Sequence, residues 1–168
     1  FGFGSRTGID LTGESTGLLP SREWKRRARR QPWYPGETLI IGIGQGYFLT
    51  TPLQLAAATA AIANNGNFYT PHVVDYLRTR ETGEINPIPP SAHPIPIAFQ
   101  QNWEDVRNGM TNVVEGARGT AKRIRSDAYR IAGKTGTAQV FTVAQDAEYD
   151  EETLEKKLRD HALFIAYA

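Results

Sequence analysis

At 168 residues the chain suits one domain, or part of one, and 40% hydrophobic with 22% charged residues is an ordinary globular balance. A net charge of +1 argues against a nucleic-acid protein held by a global field, and the absence of cysteine excludes a disulfide framework and a Cys-based metal site. No run approaches the roughly 18 consecutive apolar residues of a membrane span.

In chain order, residues 1–20 are rich in Gly, Ser and Thr and predict turns with close backbone packing. Arg22 to Arg30 is a basic segment holding Lys25, Arg26, Arg27 and Arg29 beside Trp24, Trp33 and Tyr34, and Gly42-Ile43-Gly44-Gln45-Gly46 is a flexible, tightly packed loop. Thr51 then reads as a helix N-cap with Pro52 at the first helical position, where its missing N–H costs nothing. Leu53 to Ala63 continues the helix and Asn64-Asn65-Gly66 stops it in a left-handed turn. This helix is apolar nearly all round, which predicts burial on every side. Phe68 to Arg80 reads as extended chain with a turn at Thr82-Gly83, and the prolines of residues 86–97 predict an irregular surface connector. A second helix follows, with Trp103, Val106, Met110, Val113 and Val114 on one face and Gly116 and Gly119 at its end. Tyr129 to Thr137 reads as a strand that Val140 to Val143 extends. Residues 145–160 place acids before bases, as a short exposed helix would, and His161 to Ala168 reads as a final buried strand. Two strands joined through a charged insertion most simply pair antiparallel. Both ends, Phe1-Gly2-Phe3-Gly4 and the apolar run to Ala168, are expected to be internal to a longer protein.

Gly133-Lys134-Thr135-Gly136-Thr137 invites two chemical readings. A phosphate loop needs a glycine five residues before the Gly-Lys pair, and that position is Ala128, so this reading fails. Gly42–Gly46 and Gly2–Gly8 also miss the dinucleotide-binding spacing. The second reading is the Lys-Thr-Gly element of serine acyl-transferases that act on penicillin. A cation on an edge strand orients an anionic substrate and favours proton transfer at a neighbouring serine. A threonine hydroxyl binds a carboxylate, glycine lets a substrate backbone lie flat against the strand, and the next backbone N–H points at a developing oxyanion.

Much of the chain resembles the class B penicillin-binding proteins, specifically the elongation type. The resemblance is carried by Phe1-Gly2-Phe3-Gly4, Thr7-Gly8-Ile9-Asp10-Leu11, Leu19-Pro20-Ser21-Arg22-Glu23-Trp24-Lys25, Pro32-Trp33-Tyr34, Ile43-Gly44-Gln45-Gly46-Tyr47, Thr51-Pro52-Leu53-Gln54-Leu55-Ala56, Ala132 to Val140, and Asp160-His161-Ala162-Leu163-Phe164, in the family's order. It implies an α+β fold of the penicillin-binding protein and serine β-lactamase type, an antiparallel sheet with flanking helices, incomplete in this chain. Residues 1–168 would be the C-terminal portion of a single transpeptidase domain, with 78–102 a variable insertion and 145–160 a charged connector. The implied reaction crosslinks peptidoglycan stem peptides through an acyl-serine, and β-lactams trap that serine. Lys134 would orient substrate and assist proton transfer. Thr135 and Thr137 would bind the substrate carboxylate, Thr137 N–H would serve the oxyanion hole, and Gly136 would leave room for the substrate backbone. No cofactor is implied. The implied setting is the periplasmic face of the bacterial inner membrane, anchored by an N-terminal segment outside this chain, with a membrane-bound glycan polymerase of the elongation machinery as partner.

The family needs a Ser-x-x-Lys, a Ser-x-Asn or Ser-x-Asp, and Lys-Thr-Gly, and only the third is here. Ser5, Ser15, Ser21, Ser91 and Ser126 have no lysine three residues on, Ser126-Asp127-Ala128 is not the second motif, and Thr153-Leu154-Glu155-Lys156 reads as solvated helix. The chain alone is therefore expected not to acylate. A β-lactamase or drug-sensing relative shares the same strand, and a non-enzymatic interaction module is a further alternative; the segments at 1–25 and 43–56 favour the biosynthetic enzyme. Elsewhere, the Arg22–Arg30 cluster reads as a solvated surface rather than a lipid or pyrophosphate site, and nucleic acid is not expected. His161 reads as a hydrogen-bonded structural residue, and His72 and His93 carry no assignment. Gln45 and Gly46 fit a cleft lining or a tight turn equally. No His/Asp/Glu set has metal-ligand spacing.

Overall fold

The computed structural model describes residues 1–138 and 159–168. Helix α3 (Pro52–Ala63) starts where the sequence predicts, and the cap is reciprocal: Gln54 N–H donates to Thr51 Oγ1 at 3.1 Å while Thr51 N–H donates to Gln54 Oε1 at 3.0 Å. The helix stops at Asn64, with Asn65 at φ 54° and Gly66 at φ 86°. Gln54 is also a staple. Its buried Nε2 donates to the carbonyls of Ser5 (2.7 Å) and Thr16 (2.9 Å), pinning the turn-rich N-terminal segment to the helix. Burial is one-sided rather than all round. Gln54, Ala57, Ala58, Thr59 and Ala61 are buried, whereas Pro52, Ala56 and Ala60 are exposed. The alanines allow close packing on the inner side, and the outer side borders an open apolar groove shared with Leu163 to Tyr167.

Helix α4 (Gln101–Glu115) packs against α3 and buries Trp103, Met110 and Val114. Val106, expected on the same face, is 45% exposed, because its place on the helix lies at the edge of the buried stripe. Trp103 seals the end of α3: a Cβ at Gly66 would stand 2.4 Å from Trp103 Cζ2, so only glycine fits there.

The basic segment forms helix α1 (Arg22–Arg29), capped by Ser21, whose Oγ accepts the Trp24 N–H at 3.1 Å. A short helix not expected from sequence, α2 (Pro35–Gly42), follows. Pro35 sets its first turn, and Glu37 Oε2 accepts the Tyr34 N–H at 2.8 Å. The cluster is not uniformly solvated. Lys25 is 1% exposed, paired with Glu37 and lying 4.3 Å over the Tyr34 ring, while Arg22, Arg26, Arg27, Arg29 and Arg30 remain exposed. The Glu37 carboxyl is held below its ordinary value of 4.5, first by the Lys25 ammonium and then by the Tyr34 N–H. Since the depressed value is the folded one, this stabilisation is complete above 4.5 and is lost as pH falls through the lower folded-state value. We expect Lys25→Met to destabilise at neutral pH more than Arg27→Met, and to lose less stability than the wild type on acidification below that range. Urea unfolding across pH checks this; parallel losses in wild type and Lys25→Met would rule the ion pair out.

The proline-rich stretch is not the irregular connector expected. Strands β1 (Asn67–Tyr69) and β4 (Ala92–Pro94) pair antiparallel, as do β2 (Tyr76–Arg78) and β3 (Ile85–Pro87). Pro87 and Pro94 sit at strand ends, where a missing N–H removes no interior ladder bond.

Strand β5 (Ala132–Ala138) pairs antiparallel with β6 (His161–Tyr167), setting Lys134 opposite Ile165, Thr135 opposite Phe164, Gly136 opposite Leu163 and Thr137 opposite Ala162. β5 packs on α4 and β6 on α3. The predicted pairing holds, with β5 starting three residues later than Tyr129. The extension at Val140–Val143 and residues 145–158 of the charged segment lie outside the described residues. β6 is not buried: Leu163 and Phe164 are 41% and 42% exposed. Among the described residues its sheet has two strands, and the groove between β6 and the outer side of α3 stays open, which leaves those side chains exposed.

Candidate functional site

A cleft of about 440 Å³ opens where the C-terminal end of β5 meets the loop after α2; Gln45, Gly46, Gly136, Thr137, His161 and Leu163 line it. The loop is a hydrogen-bonded turn. Gly44 N–H donates to Ile41 O at 2.8 Å and Gln45 N–H to Ile40 O at 3.1 Å. Gly44 and Gly46 adopt φ of 76° and 74°, a region that side chains resist, and a Cβ at Gly46 would stand 2.9 Å from Ile40 Cγ2. Gln45 between them reaches across the cleft, and its Nε2 donates to Thr137 O at 2.7 Å. Sequence left Gln45 and Gly46 divided between cleft lining and tight turn; they are both. The long-range bond was not legible, since no periodicity links residues 92 positions apart.

Lys134 stands exposed on β5, and its Nζ donates to Thr135 O at 2.6 Å. The alternation of a strand puts Lys134 and Gly136 on one face and Thr135 and Thr137 on the other. Gly136 and Thr137 are exposed and Thr135 is half-buried. The two glycines of the motif differ in kind. A Cβ at Gly133 would meet Phe164 Cζ at 2.5 Å, so packing alone requires that glycine. A Cβ at Gly136 would meet only Leu163 Cβ at 3.9 Å, an ordinary contact. In an antiparallel strand the N–H and C=O of one residue point to the same side. The Thr137 N–H therefore faces the edge on which Gln45 holds its carbonyl.

The other weighed residues lie as follows. His161 pairs with Ala138 and lines the same cleft. His72 Nδ1 lies 2.9 Å from Val74 O, and the neighbouring Asp10 carboxylate accepts the N–H groups of Val73 and Val74 at 2.8 and 2.9 Å. Those two backbone donors, Val74 first, hold the Asp10 carboxyl below its ordinary value. His93 Nε2 lies 3.2 Å from Ser91 Oγ, and Ser126 Oγ accepts the Ala128 N–H at 3.2 Å. His93 belongs to β4, and the ties at Asp10, His72 and Ser126 are local to their loops. Among the described residues no group of three or more His, Cys, Asp or Glu side chains could hold a metal ion, and no helix is long and apolar enough to cross a membrane.

Comparison with known proteins bears on this architecture directly. The family model described as the penicillin binding protein transpeptidase domain matches residues 1–168. The peptidoglycan D,D-transpeptidase MrdA of Haemophilus influenzae is 44% identical over 171 residues, covering 100% of this chain and 26% of that protein. Among solved structures, Pseudomonas aeruginosa PBP2 in complex with WCK 5153 superposes with a TM-score of 0.77 at 46% identity, over 99% of this chain and 33% of that one. The complex between PBP2 and MreC from Helicobacter pylori superposes with a TM-score of 0.76 at 35% identity, over 99% of this chain and 27% of that one. The chain thus spans about a quarter of the length of the curated relatives it matches. With a full-length family match and a shared α+β fold, this chain belongs to the penicillin-binding protein transpeptidase family.

Proposed function

We propose that these residues are the C-terminal portion of one transpeptidase domain and form the substrate-gripping wall of a peptidoglycan D,D-transpeptidase of the MrdA type, acting within a longer polypeptide that supplies the nucleophile. In the reaction a serine oxygen attacks the carbonyl of the penultimate residue, in the terminal peptide bond of a D-Ala-D-Ala stem. Its proton passes to a base, the carbon–nitrogen bond breaks, and D-alanine leaves as the protonated amine. An amine from a neighbouring stem then attacks the acyl-serine, forms the crosslink, and the serine regains its proton. Lys134 orients the anionic substrate and assists proton transfer, Thr135 and Thr137 hydrogen-bond its carboxylate, and Thr137 N–H stabilises the oxyanion. β-Lactams enter the same site as donor mimics. The partner is a membrane-bound glycan polymerase at the periplasmic face of the inner membrane; a solved relative is described within a peptidoglycan synthase complex and another in complex with MreC.

The observation that carries this reading is Gly136. Nothing in the described chain requires glycine there, whereas a substrate backbone laid along β5 would. Gly136→Ala in the full-length protein is expected to slow labelling by a fluorescent penicillin about 100-fold or more, in the range of a lost oxyanion-hole donor, with an unchanged melting temperature. Gly133→Ala should instead lower the melting temperature. The 168-residue chain alone is expected to take no label. Equal labelling of wild type and Gly136→Ala would remove the substrate role of this strand. Release of hydrolysed β-lactam in place of a stable adduct would indicate a β-lactamase relative, and a full-length protein that takes no label would indicate a non-catalytic module.

A further inference from the structure

Gln45 does more than turn the chain. Its side chain is half-buried in the cleft, held between two left-handed glycines and anchored through its own N–H to Ile40. From that fixed base its carboxamide reaches the Thr137 carbonyl at 2.7 Å. The geometry points to Gln45 as a positioning residue for the reaction proposed above: its amide donor fixes the exit of the Lys-Thr-Gly strand by holding Thr137 O at the mouth of the cleft. This rests on the transpeptidase reading of β5 and adds to it a residue from another element.

The physical case starts from where Thr137 lies. Among the described residues β5 runs one residue further, to Ala138, whose register partner His161 is the first residue of β6. The pairs at the start of β6 fray more readily than those inside the ladder unless something outside the ladder ties them. Thr137 carries the N–H assigned to the oxyanion, and a preorganised donor works only while its aim is fixed. Holding the carbonyl of the same residue restricts its ψ and keeps both polar groups on the cleft edge. The carbonyl has a second lone pair, so Gln45 leaves it able to accept an N–H from an extended substrate backbone. Two backbone hydrogen bonds, from Gly44 N–H to Ile41 O and from Gln45 N–H to Ile40 O, hold the loop in the turn that this role needs. A glutamine that merely closed the turn would have no reason to span the cleft.

The opposite role is a carboxamide sitting in the substrate's place, to be displaced on binding. It predicts the opposite sign, so the experiment separates the two. In the full-length protein, Gln45→Leu removes the donor while keeping an apolar stem of similar reach. The acylation rate with a fluorescent penicillin is expected to fall about tenfold, the worth of one neutral hydrogen bond. Gln45→Glu supplies the readout that a purely structural role would not move. Its carboxylate cannot donate, but its protonated form donates an O–H to Thr137 O. The rate of Gln45→Glu divided by that of Gln45→Leu should therefore rise as pH drops from about 7 to about 5. Lys134, Asp160 and His161, the other titratable groups among the described residues near this end of β5, are common to both variants; because a protonated His161 would act on the introduced carboxylate alone, the ratio is read again in a His161→Asn background and must rise there too. Melting temperatures are measured alongside, and if Gln45→Leu is less stable the pH ratio decides. A Gln45→Leu protein as fast as or faster than wild type overturns the inference, and so does a flat pH ratio. If the wild type itself takes no label, the transpeptidase reading has failed; if the wild type labels and only these variants behave otherwise, the positioning role alone has.

Discussion

Replacing Lys134 with alanine in the full-length protein is expected to slow acylation by a fluorescent penicillin roughly 10²–10⁴-fold, the usual worth of a positioned proton-transfer group, with no loss of thermal stability. The two halves of that expectation have separate grounds. Stability should be indifferent because the Lys134 side chain is exposed and its Nζ hydrogen bond, 2.6 Å to Thr135 O, stays within its own strand. That neighbouring carbonyl can return to water without leaving a buried group unpaired. Activity should be sensitive because, on the function proposed above, the Lys134 ammonium both attracts an anionic donor and favours proton movement at the nucleophile. Arginine should rescue only in part, since its planar fork replaces a compact point charge. Stopped-flow labelling with melting curves on the same samples checks both halves. A rate within about threefold of wild type, far short of that range, would remove Lys134 from the chemistry, and a matching fall in melting temperature would make it structural.

The largest expected effect on folding lies elsewhere. Trp103→Ala should destabilise by about 3–5 kcal/mol, the range for deleting a buried aromatic side chain. Trp103 is 4% exposed, lies against the Gly66 backbone at the end of α3, and meets the Phe1 ring edge-on with centroids 5.8 Å apart. Its removal opens a cavity between α3 and α4 and loosens the N-terminal segment with it. Against a typical domain stability of about 5–15 kcal/mol, that is a large fraction. Val106→Ala on the same helix should cost well under about 1 kcal/mol, as for an exposed position, because Val106 is 45% exposed. Guanidinium unfolding of both variants tests the pair, and equal losses would mean that the helix is seated differently.

Local chemistry made several elements legible before any coordinates. Thr51-Pro52 and Asn65-Gly66 bracket α3 because caps and left-handed stops act within one turn of chain. Trp103, Met110 and Val114 repeat with helical period and are buried. Lys134-Thr135-Gly136-Thr137 stood out against the phosphate-loop alternative by spacing alone. Helix α2 went unread because its signals are a proline and one glutamate, over a span too short for periodicity to show. Strands β1 and β2 fall in the segment read as extended, whereas their partners β4 and β3 in the proline-rich stretch went unread, because composition reports the missing N–H groups but not that they fall at strand ends.

By itself, the sequence determined the family, the two main helices, the antiparallel pairing of β5 with β6, and the identity of the strand that carries the motif. The family follows from the resemblance of segments spread in order along the chain; the helices, the pairing and the motif follow from residue type and short spacing, which are local. Tertiary structure alone decided that Lys25 is neutralised by Glu37 while its arginine neighbours stay exposed. It decided that Gly133 serves packing whereas Gly136 faces open space. It also decided that Gln45 meets Thr137. Each depends on which distant backbone passes within a few ångströms, and chain spacing does not encode that distance.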